Sequence, residues 1–299
     1  MKSINIRVGG GSMIEILNRC NYLYNNLIDC EDKDSHEYKS GNCLSCTKNN
    51  FRSMDNDSYD CLKKLCTYTM FYGPLYVNEI YNFLVQSNFL KLYIEEQRNI
   101  IKSNPWNEFN NLTPNNLIPI HLNVMSLGCG FGPDDIALNK YRDNHLDFNV
   151  NFNYYGYDKE PLWNFITNSN ALPITHDILN GINLQNIHIL FINKLFSTLK
   201  NLRLNNDFFN TFEIALQNLP SGSFVIFNDI NNFNEGRDEF DAFVIENDLN
   251  VIGRYYFDGY TGTYTKLEMN DIVAELIPDP AIIPKNQINS TIIFLYQKV

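Results

Sequence analysis

The sequence predicts an α/β fold: a doubly wound, mostly parallel sheet that follows a small helical region. Three observations lead to this prediction. After Pro119, short apolar runs alternate with helical stretches, which is the pattern of βαβ units. One buried run leads into a loop with glycines at alternate positions and then into a helix. Before Pro119 the pattern is mostly helical, interrupted by a polar segment rich in cysteine.

Composition restricts the classes of protein that remain. The 299 residues include 23 Lys+Arg and 34 Asp+Glu, for a net charge of −11, and 44% of them are hydrophobic. Such a chain can bury a core, which excludes wholesale disorder, and its acidity disfavours non-specific nucleic-acid binding. No apolar run approaches the roughly 18 residues that a membrane span needs. Together with the absence of a signal-peptide core, this predicts a cytoplasmic protein with no membrane partner.

The chain divides into three parts by pattern. A Gly-Gly-Gly-Ser run resembles a flexible linker, so residues 1–12 are interpreted as a possible added leader. Residues 13–119 form the helical N-terminal region, in which Pro74 is expected to begin a helix. Residues 120–299 carry the strands of the sheet. Seven strands are expected there, and the last two are expected to pair antiparallel because no long helix separates them.

Clustered cysteines predict a metal site within residues 30–70. Six of the seven cysteines lie in the first quarter of the chain, and four have the spacing C-x2-C-x14-C-x4-C. Two such pairs are typical of a structural, tetrahedral Zn²⁺ site, although thiols that bind no metal remain the alternative. The predicted zinc ligands are Cys43, Cys46, Cys61 and Cys66, with Cys30, Cys20 or His36 as other choices for the fourth.

The loop after the first predicted strand is the most informative motif. Gly128, Gly130 and Gly132 permit a tight turn and let a ligand lie against bare backbone at a helix N-terminus. Asp158 ends the second predicted strand, 26 residues beyond Gly132. A carboxylate at that position accepts hydrogen bonds from the ribose hydroxyls of an adenosine-containing ligand. The alternative for Asp158 is an ordinary turn residue.

These motifs resemble those of the class I S-adenosylmethionine-dependent methyltransferases, which have a seven-stranded Rossmann-like sheet. LGCGFGPDD is similar to the first motif of the family, YGYD to its second strand, and ITHDIL to its third-strand region. Ser126 stands where the family usually has an acidic residue, so a hydroxyl or a water would have to serve there. The cofactor contacts implied by the resemblance are Gly128, Gly130 and Gly132 for methionine, Asp158 for ribose, Asp177 and Ile178 for adenine, and Ser126 for the amino group.

Catalytic residues are less well defined by the sequence. A sulfonium methyl group is already activated, so catalysis needs mainly positioning, and a general base only where the acceptor must lose a proton. Asn193 and Asp229 follow the fourth and fifth predicted strands, and His176 lies beside Asp177. Each also has an ordinary structural interpretation, as a helix cap, a turn residue or a tolerated histidine. The motifs of standard DNA base methyltransferases are absent.

The leading hypothesis is therefore an S-adenosylmethionine-dependent methyltransferase whose acceptor is undefined: a small molecule, a protein or a nucleic acid. One rival is a nicotinamide-dependent oxidoreductase, because the glycine loop and the acid after strand two suit both cofactors. Another is a non-catalytic scaffold with a methyltransferase-like fold, which the replacement at Ser126 favours. Aromatic residues of the helical region, Tyr68 and Tyr76 among them, either cover the cofactor pocket or pack in the core.

Overall fold

The computed structural model describes most of the chain, with gaps. The described residues are 12–27, 43–50, 61–103, 119–146, 149–167, 173–231, 236–259 and 262–299. Cys30 and His36 lie outside them, as does nearly all of the proposed leader. Ser12 is described, and it caps the first helix in a capping box with Glu15.

Eight helices and eight strands are found in the described residues. The helices are α1 (Met13–Asn26), α2 (Cys43–Asn50), α3 (Leu62–Ser87), α4 (Phe89–Lys102), α5 (Pro133–His145), α6 (Phe196–Asn201), α7 (Asn205–Leu216) and α8 (Arg237–Glu246). The strands are β1 (Ile120–Leu127), β2 (Val150–Asp158), β3 (Ile174–Thr175), β4 (Ile189–Asn193), β5 (Phe224–Ile230), β6 (Leu249–Tyr256), β7 (Thr265–Lys266) and β8 (Thr291–Lys298). Two short 3₁₀ helices, Pro161–Phe165 and Ile178–Asn180, follow β2 and β3.

The strands form one mostly parallel sheet in the order β3-β2-β1-β4-β5-β8-β6-β7. Only β8 runs antiparallel to its neighbours, β5 and β6, which confirms the predicted pairing of the last long strands. The sheet has eight strands, so the prediction of seven is wrong. The additional strand, β7, is two residues long and pairs with Tyr255 and Tyr256, and so short a pairing leaves no periodic signal in the sequence.

Helices cover both faces of the sheet, as a doubly wound fold requires. Helices α1, α3, α4 and α5 share one core cluster with alternate residues of β1, such as Leu122 and Val124. Helices α6, α7 and α8 pack against the opposite face, where Leu127 and Leu190 lie. Strands β4 and β5 are buried almost throughout and lie at the centre. Of the described helices of residues 13–119, α1, α3 and α4 therefore share a core with the sheet, whereas α2 packs against α3.

Helix α3 runs through Pro74, so the prediction that a helix begins there is wrong. The break falls instead at Asn88, whose φ of 56° lies in the left-handed region, and α4 begins at the next residue. Residues Gly73 to Leu84 are nearly all buried, so α3 lacks the polar face from which helix bounds are usually predicted.

No helix among the described residues is both long enough and apolar enough to cross a bilayer.

Candidate functional site

A pocket opens at the carboxyl ends of β1, β2, β3 and β4, where ligands bind in open α/β sheets. It encloses about 1110 Å³ of empty space, its mouth included. The predicted site residues in its wall are Gly128, Gly130, Asp158, His176, Asp177, Ile178 and Asn193. Of the other predicted residues, Ser126, Gly132 and Asp229 are not part of the pocket wall.

The three glycines of the loop all have backbone angles that favour glycine. The φ angles are 64° at Gly128, 53° at Gly130 and 77° at Gly132, all in the left-handed region that side chains disfavour. A Cβ atom at Gly128 would also lie 2.9 Å from the Leu195 side chain. Gly132 precedes α5, so the loop directs the backbone N–H groups of that helix's first turn toward the carboxyl edge of the sheet.

Asp158 joins the second strand to the glycine loop. The Gly130 N–H group donates to Asp158 Oδ2 at 2.9 Å, and the Glu160 N–H group donates to Oδ1 at 3.0 Å. Burial raises the pKa of Asp158, while these two backbone donors lower it. A carboxylate offers about four lone-pair sites, so roughly two remain for a ligand in the pocket.

The residues after β3 hold their own turn as well as facing the pocket. Asp177 Oδ1 accepts from the Leu179 N–H group at 3.0 Å, which caps the short 3₁₀ helix. His176 Nε2 lies 2.6 Å from the Gly181 carbonyl oxygen, and its ring packs against Tyr157. His176 therefore holds the turn in place, which is the structural interpretation of this residue.

Two asparagines contribute unmatched polar atoms to the pocket. Asn193 and Asn228 are register partners on β4 and β5, and each is more than nine-tenths buried. Both line the pocket. Within the described part of the chain, neither side-chain polar atom of Asn193, nor Asn228 Oδ1, has a hydrogen-bond partner. Because unsatisfied buried amides are costly, they mark a place where a polar ligand would be bound.

Asp229 caps a helix, a role that sequence reasoning had considered for Asn193. Its carboxylate accepts from the Ser197 N–H group at 2.8 Å, the Ser197 hydroxyl at 2.7 Å and its own neighbour, the Ile230 N–H group, at 2.7 Å. Ser197 lies in the first turn of α6, whose N-terminus Asn193 does not cap. Burial raises the pKa of Asp229, and the Ser197 bonds and the charge of Lys194 lower it.

Ser126 lies beside a buried carboxylate. Burial raises the pKa of Asp134, at the start of α5, to about 6, although a hydrogen bond from Tyr154 lowers it, and the Ser126 hydroxyl has no hydrogen-bond partner among the described residues. The Tyr154 hydroxyl donates to Asp134 Oδ1 at 3.0 Å. The acid that the sequence lacks at position 126 is thus present nearby, on the helix and not on the strand.

Aromatic side chains from α3 cover the pocket. Tyr68 and Tyr76 are part of its wall, together with Trp163 from the segment after β2. The rings of Tyr68 and Trp163 meet edge to face with centroids 6.1 Å apart, and Trp163 is only 4% exposed. A Cβ atom at Gly130 would lie 3.4 Å from the Trp163 ring, so the loop passes directly under this aromatic cover.

The structure does not support the zinc site predicted from the cysteine spacing. The predicted ligands lie on or beside two helices: Cys43 and Cys46 in α2, Cys61 just before α3, and Cys66 within it. Among the residues that the structure describes, no group of three or more Cys, His, Asp or Glu side chains is placed to hold a metal ion.

Packing explains the difference. Cys66 is fully buried against Cys20 in the core between α1 and α3, where burial raises the pKa of Cys20 well above its ordinary value. Cys43 instead lies beside the Tyr24 hydroxyl. Spacing alone does not show which thiols face the core. Cys30 and His36, the other candidate ligands, lie outside the described residues.

Sequence reasoning missed several residues of the pocket, among them Trp163, Lys194 and Asn228. Asn228 is adjacent to the candidate Asp229, and successive strand residues face opposite sides of a sheet. Which of the two side chains faces the pocket therefore depends on the strand register, which the sequence does not give. Lys194, immediately after β4, has a φ of 52°, and this left-handed conformation is not predictable from the sequence.

No protein-family model matches the chain, and no curated protein matches it. Among solved structures, it is similar to the N-methyltransferase NodS from Bradyrhizobium japonicum in complex with S-adenosyl-L-homocysteine, at 10% identity and a TM-score of 0.39, over 59% of this chain and 78% of that one. It is also similar to an S-adenosylmethionine-dependent methyltransferase from Clostridium acetobutylicum, at 11% identity and a TM-score of 0.38, over 64% of this chain and 89% of that one. A third similar structure is a TehB-like methyltransferase from Corynebacterium glutamicum, at 11% identity and a TM-score of 0.38, over 70% of this chain and 97% of that one. Structural similarity this low gives no argument for the function of this protein.

Proposed function

We propose that this protein is an S-adenosylmethionine-dependent methyltransferase. The observation that carries the proposal is one pocket in which three features meet. These are a glycine loop in the left-handed conformation, a carboxylate bonded to that loop, and a pair of buried asparagines with unmet hydrogen-bonding atoms. The combination provides a backbone cradle, a ribose acceptor and polar groups for an amino-acid moiety.

The residues present fit such a cofactor. Gly128 and Gly130 line the pocket with bare backbone, and Asp158 retains acceptor capacity for ribose hydroxyls. Ile178 offers an apolar surface for adenine, and Asn193 with Asn228 would take the polar end of the methionine part. When bound, the cofactor supplies a methyl group already activated by its sulfonium.

The chain's own contribution is positioning and exclusion of water. Tyr68, Tyr76 and Trp163 cover the pocket with aromatic rings, so a reaction beneath them proceeds in a largely dry site. Asp229 accepts a hydrogen bond from the Ser197 hydroxyl, and His176 Nε2 contacts the Gly181 carbonyl oxygen. Neither side chain is therefore the preferred general base. The arrangement therefore suits an acceptor that needs little proton removal by the protein.

Two features favour this function over a nicotinamide-dependent oxidoreductase. The dinucleotide fingerprint G-x-G-x-x-G places its third glycine one position later than here, where the chain has Pro133. The sixth position of the sheet is taken by the antiparallel β8, whereas the dinucleotide-binding order is 3-2-1-4-5-6.

Calorimetric titration of the full chain with S-adenosylhomocysteine and, separately, with NAD⁺ tests the proposal. We expect S-adenosylhomocysteine to bind with one site per chain and NAD⁺ not to bind. Binding of NAD⁺ alone would establish the oxidoreductase instead. Failure of both ligands would leave the non-catalytic scaffold.

A further inference from the structure

A second cavity adjoins the cofactor pocket across two shared residues, Tyr76 and Lys194. It encloses about 1940 Å³ of empty space, its mouth included. It lies at the ends of the next strands along the sheet, with Ile230 at the end of β5 and Thr291 at the start of β8 in its wall. Residues 281–287 close one side, and the rings of α3 close another.

The wall of this cavity is positively charged, although the protein as a whole has a net charge of −11. Lys48, Lys194 and Lys285 line it, and no Asp or Glu is among the described residues of the wall. Each ammonium group also lies over an aromatic ring: Lys48 over Phe71 at 4.8 Å, Lys194 over Tyr76 at 5.4 Å, and Lys285 over Tyr72 at 5.9 Å.

One buried carboxylate offsets part of this charge. Glu79, fully buried on α3, lies 3.6 Å from Lys194 Nζ, which also donates to Thr291 Oγ1 at 2.8 Å. The pKa of Lys285 is lowered, mainly by burial and also by the positive charges of Lys194 and Lys48. The negative charge of Glu79 acts in the opposite direction. The charges of the three lysines therefore repel one another. Among the described groups, a single carboxylate, that of Glu79, offsets these three positive charges.

The order of the two cavities along the sheet edge suggests their roles. The residues suited to ribose and adenine follow β2 and β3, and the asparagines lie on β4 and β5. Continuing in the same direction, Lys194 and Tyr76 lead into the second cavity. A molecule bound there would approach the methionine end of the cofactor, not its adenine end.

We propose that the second cavity binds the methyl acceptor, and that the acceptor is a small molecule bearing a carboxylate or phosphate group. This assignment rests on the proposed methyltransferase function. The lysines bind the anionic group as charge-assisted donors, and the rings of α3 contact its apolar part. Lys285 contributes more to selection than Lys194, because its side-chain partner in the structure is the neutral Asn289, whereas Lys194 already has Glu79.

Calorimetry on the full chain tests this, with benzoate and inorganic phosphate as anionic probes and benzamide as the neutral probe. The anions should bind and benzamide should bind much more weakly. Lys285→Met should weaken the anions about tenfold or more, since a hydrogen bond to a charged group contributes roughly 1.5–3 kcal/mol. The matched control is Lys91→Met on the exposed side of α4, which should leave anion affinity unchanged. Neither variant should change the affinity for S-adenosylhomocysteine.

Three results would overturn the proposal. One is the failure of both anions to bind, and another is equal anion affinity in Lys285→Met and wild type. The third is competition between benzoate and S-adenosylhomocysteine, because an acceptor must bind together with the cofactor. Anion binding without any S-adenosylhomocysteine binding would overturn the methyltransferase assignment, and the acceptor role with it, while leaving an anion site in place.

Discussion

At the scale of single residues, the proposed function gives the Asp158 carboxylate a second role beside the one it has in the fold. It accepts two backbone N–H groups, one of them from the glycine loop, before any ligand is considered. A carboxylate fixed in this way is already oriented toward the pocket, so the proposed ribose binding would cost little for ordering it. The same side chain would then couple the loop to the proposed ribose site.

Asp158→Ala should weaken S-adenosylhomocysteine binding by about 2 kcal/mol or more, because it removes the ribose acceptor and releases the Gly130 N–H group. Calorimetry measures the affinity, and Asp143→Ala, an exposed acid on α5, is the control for loss of one negative charge. Unchanged affinity in Asp158→Ala would show that the ligand lies elsewhere.

Asn193→Ala should behave differently. Since neither polar atom of Asn193 has a partner among the described residues, its removal breaks no hydrogen bond of the free protein. We expect the free energy of unfolding to be unchanged or slightly raised, and S-adenosylhomocysteine affinity to fall by about 1 kcal/mol or more. Denaturation and calorimetry on the same variant give the two values. A large loss of stability with normal affinity would make Asn193 a purely structural residue.

Some of these residues were predictable from the sequence, for a physical reason. The glycines of the loop are predictable because their chemistry is local: alternate positions that need φ above zero leave a signature within one motif. Asn228 and Lys194 were not predictable in this way. Asn228 is placed in the site by the pairing of β4 with β5, and Lys194 lines a cavity that several elements enclose.

At the scale of elements, asparagines on α3 hold the irregular segment between β7 and β8. Asn78 Oδ1 accepts from the Val273 and Ala274 N–H groups at 2.8 and 2.9 Å. One turn later, Asn82 bonds the backbone of Asp271 through both ends of its amide, at 3.0 and 2.7 Å. The segment thus has side-chain partners in place of a sheet ladder, and its continuation at 281–287 forms a wall of the second cavity.

Asn82→Ala should therefore lower the free energy of unfolding by about 1–3 kcal/mol, because it removes the hydrogen bonds that a fully buried amide makes to part-buried backbone groups of Asn270 and Asp271. Urea denaturation measures this. Asn99→Ala, at an exposed position of α4, is the matched helical control and should be neutral or slightly stabilising. An equal effect in both variants would contradict the anchoring role.

The elements were predicted well where periodicity was strong. The long strands, α5 and α8 have clear patterns, and the antiparallel end of the sheet followed from the absence of a helix. The boundary between α3 and α4 was misplaced because Pro74 is a conspicuous breaker, whereas the left-handed turn at Asn88 carries only a weak signal. The zinc site failed because tertiary packing, which spacing does not encode, placed Cys66 against Cys20.

At the scale of the whole molecule, buried carboxyl groups make stability depend on pH. Burial, and then the charge of Asp134, raise the pKa of Asp135 to about 7, from an ordinary value of 3.8. Between these values the folded state holds a proton that the unfolded state has released. This group's contribution to the free energy of unfolding therefore falls as pH rises from about 4 to about 7.

Asp135→Asn should remove that contribution while keeping Oδ1 as an acceptor for Asn139. We expect the variant to be more stable than wild type at pH 8 and the two to converge near pH 4. The difference should change by up to about 1.4 kcal/mol per pH unit. Urea denaturation across this range measures it, with Asp143→Asn as the exposed control. A constant difference at all pH values would contradict the raised pKa.

A crystal structure of the full chain with S-adenosylhomocysteine would show whether the pocket at the carboxyl ends of β1 to β4 is a cofactor site. We expect the ribose hydroxyls at Asp158, the adenine beside Ile178 and the amino-acid end at Asn193 and Asn228, with the sulfur facing Lys194 and Tyr76. Density for the ligand outside this pocket, or none at saturating concentration, would contradict this expectation.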